Sequence, residues 1–129
     1  MRTLYSDVLL DHFRSPRNFG TLSAPDISYE IFNPLCGDRI RIEIEMSGGT
    51  VRAARFRGDG CAISLAAASM LTEMIVGSNI AAAEIISGEE LLSALESEIQ
   101  PTRVKCALLP LEALRAGVKL YKESERIER

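Results

Sequence analysis

Three cysteines and one aspartate carry most of the chemistry this sequence offers. Cys36 lies in Asn33-Pro34-Leu35-Cys36-Gly37-Asp38, so a carboxylate stands two residues from a thiol, with a glycine between them that lets the chain turn. Cys61 closes Gly58-Asp59-Gly60-Cys61 just ahead of a predicted helix, whose amino-terminal dipole favours a thiolate. Cys106 ends Arg103-Val104-Lys105-Cys106, beside two cations that favour the same form. The thiolate is what binds metals and attacks sulfur, and each cysteine has its own reason to adopt it. Spacing alone leaves a metal site and unrelated free thiols both open. Cys36 and Cys61 are 25 apart, Cys61 and Cys106 are 45 apart, and there is no Cys-x-x-Cys pair. Position favours the metal site: all three fall at predicted element boundaries, whereas structural cysteines usually sit inside elements as small hydrophobes. An odd number of thiols in a reducing compartment is not a disulfide framework. His12, the only imidazole, lies in the first predicted helix, where packing or a helix-end contact is expected rather than ligation.

The elements that must position these residues come in two blocks. Leu4–Arg14 has apolar residues at helical spacing and is broken by Ser15-Pro16. A loop to Pro25 precedes three predicted strands, Ile27–Phe32, Arg39–Met46 and Val51–Phe56. The middle one alternates charged and apolar residues without a fault, which predicts one wet face and one buried face. Ser47-Gly48-Gly49 is a hairpin turn. Helices follow over Ala62–Val76 with Gly77 as its stop, from a Ser78-Asn79 cap to Ile86, from Ser87 to about Ser97, and from near Cys106 to about Glu123. Pro110 is expected in the first turn of the last helix, since a proline deeper inside would break it. Residues 124–129 are expected to fray. Met70 and Met74, four apart, are core-facing. Strands in one block and helices in another predict an α+β fold: a three-stranded antiparallel sheet covered by about four to five helices.

Size and charge narrow the function classes. The chain has 129 residues, 47% of them apolar and 26% charged, enough for one domain over 1–129 with a real core. No stretch is long and apolar enough for a membrane span, and the first residues lack the apolar run of a signal peptide, so a cytoplasmic protein is expected. The net charge is −3. Residues 1–60 hold eight arginines, eight acids and no lysine, whereas 62–102 hold six glutamates and no base. That balance excludes a nucleic-acid footprint and predicts a wet, glutamate-rich helical face.

Four ordered blocks give a resemblance. Tyr5 with Asp11-His12-Phe13-Arg14-Ser15-Pro16-Arg17-Asn18-Phe19-Gly20, then Asn33–Ile40, then Phe56–Ser64, and finally Arg103-Val104-Lys105-Cys106-Ala107-Leu108 resemble the IscU/SufU/NifU-type iron–sulfur cluster assembly scaffolds over nearly the whole chain. The resemblance implies that Cys36, Asp38, Cys61 and Cys106 converge at one exposed end and hold a transient [2Fe–2S] cluster, iron or zinc. It also implies that a cysteine desulfurase delivers sulfur and that recipient apoproteins or carriers take the cluster. Arg39, Arg103 and Lys105 are the nearest cations in sequence to offset the charge of such a site. On this reading the protein is a scaffold rather than an enzyme. The alternative is a SufU-like, zinc-dependent persulfide acceptor, with Cys106 taking the sulfur. Lys105 before the last cysteine is SufU-like, while the short spacing to it lacks the SufU insertion. Gln100-Pro101-Thr102-Arg103-Val104-Lys105 replaces the chaperone motif of the IscU branch, which speaks against a dedicated Hsp70 partner.

Overall fold

The computed structural model describes residues 5–127. Its order is α1 (Asp7–Arg14), β1 (Ile27–Asn33), β2 (Asp38–Ser47), β3 (Thr50–Asp59), α2 (Ala62–Ile75), α3 (Ile80–Glu84), α4 (Gly88–Ala94) and, after a 3-10 turn at Pro101–Arg103, α5 (Val104–Ile127). The three strands form one antiparallel sheet in the order β1-β2-β3, with five α-helices around it, as the two-block pattern predicts.

The alternation of β2 fixes the sheet's inner face. Ile40, Ile42 and Ile44 are buried; they pair with Ile31, Tyr29 and Ile27 on β1 and with Gly58, Phe56 and Ala54 on β3. The small residues of α2 (Ala66, Ala67, Ala68 and Ser69) are all fully buried, so this helix packs close. On α5, Gly117 serves the same end, since a Cβ there would lie 2.9 Å from Ile27 Cγ2. Met70 and Met74 are half-buried against this core.

Caps set the helix ends. The helix α1 begins at Asp7 because the Ser6 hydroxyl accepts from the Leu9 amide at 3.0 Å; Leu4, the expected start, lies outside the described residues. Asn79 caps α3, and Ser87 with Glu90 forms a capping box on α4. Gly77, at φ +89°, ends α2 as expected.

Three expectations need correction. The outer face of β2 is not wet throughout. Glu43 is buried because the loop before β1 lies over it: its Oε1 accepts from the Leu22 amide at 2.7 Å and its Oε2 pairs with Arg41 at 2.9 Å. Pro110 lies beyond the first turn of α5, because the 3-10 turn moves the helix start back to Val104. It removes the amide that would bond the carbonyl of Cys106, and the buried Leu109, Leu111 and Leu114 hold the helix together around the gap. Finally, α5 continues past its expected end near Glu123 to Ile127; 128–129 lie outside the described residues.

Candidate metal centre

The four sequence-predicted donors come from three separate stretches of chain. Cys36 is exposed in the loop between β1 and β2, where Gly37 takes φ +77° and its amide bonds the Asn33 carbonyl at 2.8 Å. Asp38 opens β2 on the inner face and is 3% exposed. Cys61 is the N-cap residue of α2, and Cys106 sits in the first turn of α5, 3% exposed. The ligand atoms of Cys36, Asp38 and Cys106 all lie within 4.8 Å of one another. Cys61 joins them through the carboxylate, its thiol donating to Asp38 Oδ2 at 3.3 Å.

Asp38 also has a structural task. Cys61 makes no side-chain capping bond, and Asp38 reaches across from β2 instead: its Oδ1 accepts from the Cys61 amide at 3.1 Å. A carboxylate at that helix end is favoured by the dipole as well as by the hydrogen bond. Gly60 makes the approach possible. A Cβ there would lie 2.5 Å from Ser64 Oγ and 3.0 Å from Asp38 Cγ. Buried Ser64, which donates to the Cys61 carbonyl at 3.1 Å, completes the floor. The sequence places Gly60 and Ser64 on either side of Cys61 but does not reveal this crowding or the contact of Ser64 with the Cys61 carbonyl.

The electrostatics are those of donors facing one another. Burial, the hydrogen bond that the Cys106 thiol donates to Cys36, and the nearby Cys61, Cys36 and Asp38 push the Cys106 thiol up to about 12. This corrects the expectation of a standing thiolate at Cys106, because the like-charged donors and the burial outweigh the helix start and its neighbouring cations. Of the three expected cations, Arg103 is at the site. The Cys61 thiolate and a hydrogen bond to it hold the Arg103 proton above its ordinary range, with Cys106 adding to the effect. Arg39 points to the other face of the sheet, with Nε 3.6 Å from Glu30 and its guanidinium 5.2 Å from the Phe32 ring centre. Lys105 is exposed on α5.

His12 is not brought to the thiols. Its Nδ1 bonds Ser69 Oγ at 2.7 Å and its Nε2 lies 3.4 Å from Glu73, both on α2. Ser69 is eight residues beyond Cys61, about 12 Å along the helix. Ser69 Oγ also accepts from the Arg17 amide at 2.9 Å; the ionised Glu73 carboxylate can only accept, which favours the ring proton on Nε2 with Nδ1 accepting from the Ser69 hydroxyl.

The donor set fits a tetrahedral ion. Thiolates on zinc at about 2.3 Å lie roughly 3.8 Å apart, so donors within 4.8 Å close on it by side-chain rotation. Three sulfurs and one oxygen also suit iron in a cluster, with the carboxylate as the harder ligand. A cleft of about 510 Å³ lined by Tyr5, Ile63, Ile99, Pro101 and Arg103 opens beside the site.

A three-stranded sheet with three thiols and a carboxylate gathered at one end defines the class of small cluster-assembly domains. The chain belongs to the family described as NifU-like N terminal domain, whose model matches residues 4–128. It is 39% identical to the zinc-dependent sulfurtransferase SufU of Bacillus subtilis over 133 aligned positions, covering 90% of each chain. That alignment is longer than the chain, so the relative has residues without counterparts here. The chain is 34% identical to the iron–sulfur cluster assembly scaffold protein IscU of Azotobacter vinelandii, covering 94% of this chain and 96% of that one. Among solved structures, a SUF-system scaffold protein from Fervidobacterium islandicum superposes with a TM-score of 0.77 at 24% identity, covering 89% and 96%. No helix among the described residues is long and apolar enough to cross a membrane.

Proposed function

We propose that the protein is a scaffold for iron–sulfur cluster assembly. It receives sulfur from a cysteine desulfurase and iron, holds a transient [2Fe–2S] cluster on Cys36, Asp38, Cys61 and Cys106, and passes it to apoproteins or carrier proteins of the cytoplasm. The observation that carries this reading is the meeting of four donors from distant parts of the chain at one accessible end. The chain's own residues have separable tasks. Exposed Cys36 can meet an incoming partner. Asp38, kept in position by the Cys61 amide, is the ligand that yields most readily, which suits cargo that must leave. Arg103 offsets the negative charge of the ligand set.

The likeness to a protein named for zinc-dependent sulfur transfer, with Lys105 before the last cysteine, favours a second reading as a persulfide acceptor. There a cysteine thiolate attacks the outer sulfur of the desulfurase persulfide. A new S–S bond forms on the acceptor, and the desulfurase cysteine leaves as its thiolate. Cys106 is the expected acceptor, but Cys36 is the exposed thiol.

Anaerobic incubation with ferrous iron, free cysteine, a desulfurase and a thiol reductant, which supplies the electrons that turn persulfide sulfur into sulfide, tests both. The scaffold reading expects a [2Fe–2S] absorption spectrum with two irons and two sulfides per chain. Tight zinc, stimulated desulfurase turnover and no cluster would overturn it in favour of the acceptor, with mass spectrometry locating the extra sulfur on Cys36 or Cys106. Arg103→Glu is expected to shorten cluster lifetime; an unchanged lifetime removes Arg103 from the charge balance.

A further inference from the structure

The outer face of the sheet carries an arginine cluster that the thiol site does not use. In register across β1, β2 and β3 stand Phe32, Arg39 and Asp59, then Glu30, Arg41 and Arg57. Arg41 and Arg57 are thus directly opposed, a like-charge pairing that weakens a sheet rather than holding it. Arg41 has company in the buried Glu43, and Arg39 in Glu30; exposed Arg57 has no ion pair or hydrogen bond among the described residues. These arginines line a shallow pocket of about 320 Å³ together with Phe19 and Asp59. Phe19 and Phe32 are each about half exposed at its margins, at 52% and 50%. Among the described residues, no helix covers these arginines.

We propose that this face docks an acidic, aromatic-containing segment of a protein partner. Charge complementarity points to the occupant. The chain is negative overall and its glutamate-only stretch lies in the helices, whereas this face presents Arg57 without an ion pair among the described residues, beside Arg39 and Arg41. Planar guanidiniums suit carboxylates, and exposed phenylalanines beside them supply the apolar anchors of a protein interface. A nucleic acid is the poorer fit, because Glu30 and Asp59 are interleaved with the arginines and would face its phosphates. Arg39 is the neighbour of Asp38 but projects from the opposite face, so a partner bound here lies alongside the thiols without covering Cys36. The proposal does not depend on what the thiols carry.

The test is a titration of the isotope-labelled full chain with a short synthetic peptide of glutamates interspersed with phenylalanines, followed by nuclear magnetic resonance. Expected are shifts at residues 28–32, 39–41 and 57–59, binding weakened about tenfold by Arg57→Glu and by added salt, and an unchanged rate of Cys36 alkylation at saturation. Arg57→Glu faces Arg41 with an opposite charge, so folding is not at risk; circular dichroism checks it. No binding, binding indifferent to Arg57→Glu, or protection of Cys36 overturns the proposal. So does self-association of the unliganded chain that Arg57→Glu abolishes, which makes a second copy the occupant. Tighter, Arg57-dependent binding of a DNA oligonucleotide likewise overturns it.

Discussion

Two polar regions of this molecule, one between α1 and α2 and one at the end of the sheet, contrast. Between α1 and α2, His12, Ser69, Glu73, Asn18, Thr72 and the Arg17 backbone satisfy one another; His12 bonds at both ring nitrogens, and Asn18 Nδ2 donates to Thr72 at 3.1 Å. At the sheet's end, Cys36, Asp38, Cys61 and Cys106 are all acceptors once ionised, and burial together with the other three pushes the Cys106 thiol up. The first region finds its partners within the chain, one buried guanidinium nitrogen of Arg17 excepted, and ties α1 to α2. The second lacks a positive partner that the chain only partly supplies through Arg103, and that shortage is what the proposed metal or cluster would fill.

The sharpest way to break this contrast is Cys36→Ala. Zinc affinity is expected to fall by at least about 100-fold, while the metal-free protein melts where the parent does, because Cys36 is exposed. Chelator competition and thermal scans measure the two. An equal loss of melting temperature would make Cys36 part of the fold. Next in size, Ser69→Ala strands His12 Nδ1 and the Arg17 amide, and should cost about 2 kcal/mol in denaturant unfolding with zinc affinity unchanged. Asp38→Ala should cost about 1 kcal/mol by uncapping α2, and also weaken metal binding. Asp38→Asn keeps an acceptor for the Cys61 amide and should restore the stability but not the affinity.

The smallest effect is a pH dependence. Burial holds the His12 pKa below its ordinary value of 6.5, with Arg17 adding to the effect and Glu73 and Asp11 opposing it. Above that value His12 is neutral in both states and costs nothing. As pH falls below it, the unfolded chain takes up a proton that the folded chain refuses, so stability declines. The slope of unfolding free energy between pH 7 and pH 5 should flatten in His12→Gln; an unaltered slope would assign it to other groups.

Much of the fold was legible because β2 alternates so regularly and the cysteines fall where elements change. That same alternation already places Arg39 opposite Asp38, so its absence from the site was legible too; nearness in sequence obscured it. Other features come from contacts between distant segments. Glu43 is buried by a loop whose path no local pattern records. The raised Cys106 thiol is a property of four converging groups, whereas the helix start and Lys105 speak only for Cys106 by itself. Pro110 misled because the 3-10 turn before α5 is not separable, by spacing, from the helix itself.

That proline bears on how the site can loosen. The ladder of α5 has a missing rung where the Cys106 carbonyl would have met an amide at position 110. Unwinding the short stretch that carries this thiol therefore breaks one fewer bond than it would in an unbroken helix, a saving of about 1 kcal/mol. Beyond the gap, Leu111, Leu114 and Val118 stay buried in the core. The helix is thus built like a hinge pin with a scored end: its long part anchors the domain, and the turn that presents one sulfur can open without drawing the anchor.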